Sequence, residues 1–223
     1  MTTRRLLIML TLAAAALLLA GCPSPERGES GDAGETPASP RSAELAPLEV
    51  DEEGVRAADR SELLGIGDVP DNIQVDDETG FGATERFREA SVAPDATWFA
   101  VVTGGVAHSA AWLVEEGTRE PMPAAFQYGG SITIGPWSED GHWVVFLQEG
   151  PAGDRTLTVV HREAPGETVE ERAMPVRSPD HEDLPPEERS YEALAWKDGK
   201  LLFRLGDKRW GFDPASGEVW PEG

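Results

Sequence analysis

The chain has 223 residues, with 41 acidic against 19 basic side chains, a formal charge of −22 and one cysteine. A surface this anionic has no basic patch to displace phosphate counterions, which excludes nucleic acid as a partner and electrostatic docking on anionic lipid. A single cysteine also excludes an internal disulfide.

The first element in chain order is an export signal. Arg4 and Arg5 precede an apolar run from Leu6 to Ala20, which ends on Leu19-Ala20-Gly21-Cys22. A basic head, an apolar middle and small residues at the end are the marks of a cleaved secretory segment. The run holds about 15 residues, short of the about 20 that a spanning helix needs. Pro23, Ser24, Pro25 and Glu26 follow at once and do not continue a buried helix. The four residues 19–22 resemble the lipobox of bacterial lipoproteins. That resemblance implies cleavage between Gly21 and Cys22 and acylation of the Cys22 thiol, with Cys22 as the lipidation site. Stable anchoring generally takes two acyl chains, each methylene contributing about 0.8 kcal/mol. Thr3-Arg4-Arg5-Leu6-Leu7 also resembles a twin-arginine signal, which leaves the export route open.

From Pro23 to about Arg60 the composition is Pro, Ser, Gly, Glu and Ala with few large apolar residues. Such a segment buries too little surface to offset ordering entropy, so a disordered acidic linker is expected over 22–60. About 38 residues of flexible chain span roughly 35 Å. Lysine is confined to Lys197, Lys200 and Lys208. That bias resembles proteins of salt-loving organisms, for which a Debye length of about 3 Å at 1 M salt screens self-repulsion; a GC-rich genome gives the same bias.

Residues 61–223 read as strands, in three related copies. Ala93-Pro94-Asp95-Ala96-Thr97-Trp98-Phe99-Ala100-Val101-Val102 matches Trp137-Ser138-Glu139-Asp140-Gly141-His142-Trp143-Val144-Val145-Phe146, and Ala195-Trp196-Lys197-Asp198-Gly199-Lys200-Leu201-Leu202-Phe203 follows the same plan. Asp-Gly between apolar runs favours a tight hairpin, because glycine accepts positive φ. Ala96 stands where glycine is expected, which predicts a different turn in the first copy. Strands are expected before each hairpin (86–92, 131–137, 191–196), after it (110–115, 156–162, 208–213), and as outer strands at Gly166–Val169 and Ser216–Trp220. These copies resemble blades of TolB-like and WD-like β-propellers. The fold expected is therefore all-β: about three four-stranded blades, as a partial propeller or an open meander or sandwich. Closed propellers have about four to eight blades, so Leu63–Phe81, with Ile66, Val69, Ile73 and Val75, is expected to cover one end. A second copy of the chain could cover the other as a homodimer.

Candidate chemistry is sparse. His108, His142, His161 and His181 show no zinc-ligand spacing, and no Gly-x-Ser-x-Gly turn or phosphate-cradling loop occurs. Asp76-Asp77-Glu78 and Asp180, Glu182 and Asp183 offer oxygen ligands for calcium but do not fit its twelve-residue loop. Trp98, Trp143, Trp137 and Trp196 fall at matching positions, which assigns them to the core. The insertion Met174–Ser190 is the longest connection; long connections on a rigid frame often carry binding, but a plain solvated connection is the preferred expectation. No catalytic, cofactor-binding or metal residues are assigned, and no cofactor is expected. The expectation is an exported protein, lipid-anchored at the cell or outer membrane through Cys22, that binds or scaffolds an envelope partner without catalysis. A glycan- or peptide-directed enzyme (or enzyme accessory) and a purely structural envelope protein are the alternatives.

Overall fold

The computed structural model describes Leu45 and residues 47–82, 84–185 and 188–223. The export segment 1–21, the Gly21–Cys22 cleavage point, the Cys22 thiol and the linker as far as residue 44 lie outside the described residues. Among the described residues no helix is long and apolar enough to cross a membrane.

The chain is all-β, and its framework is three consecutive four-stranded antiparallel meanders. The first joins β6 (Arg86–Val92), β7 (Trp98–Gly104), β8 (His108–Glu115) and β9 (Pro121–Tyr128). The second joins β10 (Ser131–Trp137), β11 (Trp143–Glu149), β12 (Arg155–His161) and β13 (Ala173–Val176). The third joins β14 (Tyr191–Lys197), β15 (Lys200–Leu205), β16 (Lys208–Asp213) and β17 (Glu218–Pro221). Ahead of them lie a small sheet of β1 (Glu49–Val50), β2 (Gly54–Arg56) and β3 (Glu62–Gly65), and a hairpin of β4 (Asn72–Gln74) and β5 (Gly80–Gly82).

Period-two alternation explains how these sheets stack. In β7, Phe99 and Val101 enter one buried cluster with Val55, Leu64, Ile73 and Trp112. Their neighbours Trp98, Ala100 and Val102 enter a second cluster with Val144, Phe146 and Ile134. The second meander repeats the division: Val144 and Phe146 face back, while Val145 faces forward onto Leu201, Phe203 and Phe212. The first two meanders are thus buried on both faces, which is why β7 and β11 read as unbroken apolar runs. Each fully buried large side chain contributes about 1.5–3 kcal/mol.

The buried clusters link each sheet to its neighbours in an open row. Its last face, carrying Glu192, Lys200, Arg204 and Arg209, is polar and exposed, as a terminal repeat must be. Trp220 lies there against Gly211, where a β-carbon would stand 2.2 Å from the indole. The outermost strand of each meander carries proline: Pro121 and Pro123 in β9, Pro175 in β13, Pro221 in β17. Proline offers no N–H, so these free edges resist pairing with another chain.

Four expectations need correction. Ordered structure starts well before residue 61, with Leu45, Val55 and Ala57 fully buried; a few well-spaced apolar residues are enough to seal the first cluster, although the average composition is that of a linker. The first hairpin uses the same turn as the second. Ala96 adopts φ +55° as Gly141 adopts +72°, and the turns close alike through Ala96 N–H to Ala93 C=O and Gly141 N–H to Ser138 C=O, both 2.9 Å. Residues 166–169 are not an outer strand. Thr168 caps the short helix α1 (Val169–Arg172), its hydroxyl accepting from Glu171 N–H at 3.2 Å while the Glu171 carboxylate accepts from Thr168 N–H. The outer strand is β13, so the long connection is 177–190 rather than 174–190. The expected end cover is present: Leu63, Val69 and Ile73 are buried against the first meander.

Candidate functional site

The connection from β13 to β14 passes over the junction of the second and third meanders. Ser178 starts a 3-10 turn over Pro179–Asp183 within it by accepting Asp180 N–H on its hydroxyl at 3.2 Å. Tyr191, at the head of β14, is 1% exposed and fixes the turn from below. Its hydroxyl accepts Ser178 N–H at 3.1 Å and lies 3.2 Å from His181 Nδ1. Having accepted once, the phenol has its own O–H left to give to Nδ1. Burial pushes the Tyr191 phenol up from its ordinary value, which keeps it a neutral donor. Lys208 pairs with Asp180, and Arg189 donates Nε to Leu184 C=O at 2.8 Å.

Beside the end of this segment, joined to it by the parallel bridge of Arg155 with Ser190, stands the β11–β12 turn. Gly150 N–H meets Asp154 C=O at 2.8 Å, Gly153 N–H meets Gly150 C=O at 3.0 Å, and Gly153 takes φ +83°. Between turn and connection lies a cleft of about 620 Å³. Its floor is Ala152, Gly153, Asp154 and Thr156; its walls are His181, Arg189 and Ser190. A smaller compartment of about 210 Å³ shares Thr156 and His181 with it and is lined further by Leu157, Pro175, Val176, Arg177 and Tyr191. Thr158 and Gln148 at its base are already satisfied, Thr158 donating to Gln148 Oε1 and Gln148 Nε2 to Phe126 C=O at 2.8 Å. The main cleft falls in the about 300–1,000 Å³ range of small-molecule sites. It combines a carboxylate, a guanidinium, an imidazole and two hydroxyls over a partly apolar floor.

Of the residues singled out in the sequence, few meet here. His142 sits exposed in its hairpin turn, 3.6 Å from Asp140. His161 packs edge-on against Trp143 at 4.6 Å between ring centres, and burial draws it below its ordinary value. His108 packs with Phe81 and Phe126 beside the exposed Tyr128. Asp76 accepts Glu78 N–H and Thr79 N–H of its own turn, at 2.9 and 2.7 Å. Among the described residues no three His, Asp or Glu side chains converge on a metal position. Trp98 and Trp196 are buried, Trp137 and Trp143 half-buried, and Trp112, donating Nε1 to Thr103 Oγ1 at 2.9 Å, is the most buried of all. Sequence reasoning marked the connection by its length and missed Asp154, Thr156 and Tyr191 entirely.

No protein-family model matches the chain, and no curated protein matches it. Among solved structures it is similar to hydrazine synthase of Kuenenia stuttgartiensis, at 12% identity and a TM-score of 0.39. The likeness covers 67% of this chain and 48% of that one, about half the length of the other protein.

Proposed function

We propose that this protein is an exported, non-enzymatic binding module, held at a membrane by lipid on Cys22 and recognising its partner through the cleft between the second and third meanders. One observation carries the binding assignment. A cavity of about 620 Å³ opens at a junction of two packed sheets, and the polar groups converging on it come from both sides. The second and third meanders pack face to face through a shared buried cluster, so the cleft is largely pre-formed and binding requires little ordering. Anchoring rests on the lipobox resemblance of Leu19-Ala20-Gly21-Cys22. The twin carboxylates or nucleophile–base pair of an enzyme are not what the cleft supplies. The hydrogen-bonded pair of Tyr191 with His181 holds the connection in place.

Two variants test the two halves. Cys22→Ser releases the mature protein from the membrane fraction and abolishes labelled fatty-acid incorporation; a variant that still pellets refutes the anchor. Ala152→Trp, in the exposed turn that floors the cleft, removes crosslinked envelope partners captured by the wild type and leaves the melting temperature unchanged. Identical capture by both proteins refutes the cleft.

A further inference from the structure

The geometry points to a zwitterionic ligand of amino-acid to short-peptide size, its ammonium group on Asp154 and its carboxylate on Arg189. This rests on the binding-module reading of the same cleft. Asp154 and Arg189 line one cavity side by side, next to the parallel bridge that joins Arg155 to Ser190, and among the described residues neither side chain is in an ion pair. Arg189 is oriented before any ligand arrives: Leu184 C=O takes its Nε–H at 2.8 Å and Glu182 C=O one Nη at 3.4 Å. Among the described residues nothing takes a hydrogen from the other Nη, which faces a ligand carboxylate in this assignment. Ser190 and Thr156 add hydroxyls, and His181 adds its imidazole, within the same walls.

The charge of the whole protein narrows the choice. With 41 acidic against 19 basic residues, its field repels a free anion and spreads a simple cation over the entire surface. A ligand carrying both charges is neutral to that field and is recognised only where both are matched. The adjoining compartment of about 210 Å³, with Leu157, Pro175 and Val176 on its walls, accepts an aliphatic side chain. Leucine-bearing ligands are therefore expected to bind better than glycine-bearing ones.

The test is calorimetric titration of the full chain in detergent micelles with Ala-Leu, Ala-Gly, N-acetyl-Ala-Leu and Ala-Leu-amide. Ala-Leu binds with a dissociation constant at or below about 1 mM, and each blocked form binds at least about tenfold more weakly. In Asp154→Asn the penalty for N-acetylation disappears while the penalty for amidation stays. Arg189→Gln gives the converse, with a thermal melt showing that the connection is intact; should it loosen, the Asp154→Asn result decides alone. Blocked and free forms binding equally, or no heat from any probe at about 10 mM, overturns the assignment. If peptides fail while Ala152→Trp still abolishes envelope capture, the ligand class is wrong and the binding cleft stands. If both fail, both readings fall.

Discussion

Replacing Asp95 by asparagine tests how the first two meanders are locked together. Arg162, just after β12, has a side chain only 10% exposed, and its Nη1 donates to Asp95 Oδ2, 67 residues away. The same nitrogen lies 3.3 Å from Thr97 Oγ1 and from Gly141 C=O, and the guanidinium sits 6.0 Å from the Trp98 ring centre. Asparagine keeps the shape and one acceptor but removes the charge. A hydrogen bond between charged groups contributes about 1.5–3 kcal/mol, and a neutral one about half that. Orphaning a fully buried charge costs about 3–5 kcal/mol. Asp95 is 35% exposed, and water screens that part, so the loss expected is about 2 kcal/mol. For a domain of this size that lowers the melting temperature by about 4–8 °C. Glu192→Gln is the control. Its pair with Arg204 is half-exposed on both sides, so its loss is at most about 0.5 kcal/mol. Burial would raise the Asp95 carboxyl, but the hydrogen bonds from Arg162 and Thr97 outweigh it and hold the group below the usual carboxylate range. A depressed value stabilises above the unfolded pKa of about 3.9, and that contribution is lost as pH falls through the folded value. The gap between wild type and variant is therefore full at neutral pH and closes below about pH 4. An Asp95→Asn protein that melts within a degree of the Glu192→Gln control at pH 7 would refute the clasp.

Two further substitutions probe local geometry. Ala96→Gly relieves a β-carbon in the left-handed region, which costs about 1–2 kcal/mol, against an unfolded-state penalty of about 0.4–1 kcal/mol. A net gain of about 0.5 kcal/mol in denaturant unfolding follows, and a loss would mean the turn is not what φ +55° indicates. Gly211→Ala places a methyl against Trp220, where 2.2 Å separates it from the ring. The indole swings outward, its emission shifts to the red, and stability drops by about 1 kcal/mol; an unchanged emission spectrum contradicts the packing.

Strand positions were legible because their causes are local. The apolar runs Phe99–Val102 and Val144–Phe146, and the turn residues Asp140-Gly141 and Asp198-Gly199, carry pleat and hairpin within a few residues. The strands β6, β10 and β16 accordingly begin and end where the pattern places them. Legibility failed where a local signal was overruled by the repeat template or diluted by composition. Thr168 and Glu171 spell a capping box, yet the repeat called for a strand there. Val55 and Ala57 are fully buried inside a stretch whose average composition is that of a linker.

The cleft belongs to a third category. Asp154, Thr156, His181, Arg189 and Ser190 share no motif or period, and what joins them is the stacking of the second meander on the third. By itself the amino-acid order determined an all-β chain, three meanders and their hairpins, because hydrogen-bonding geometry and side-chain alternation act over short distances. Only the tertiary structure decided how the sheets line up, which ends stay open and which polar groups face one another, because packing joins residues that the chain keeps far apart.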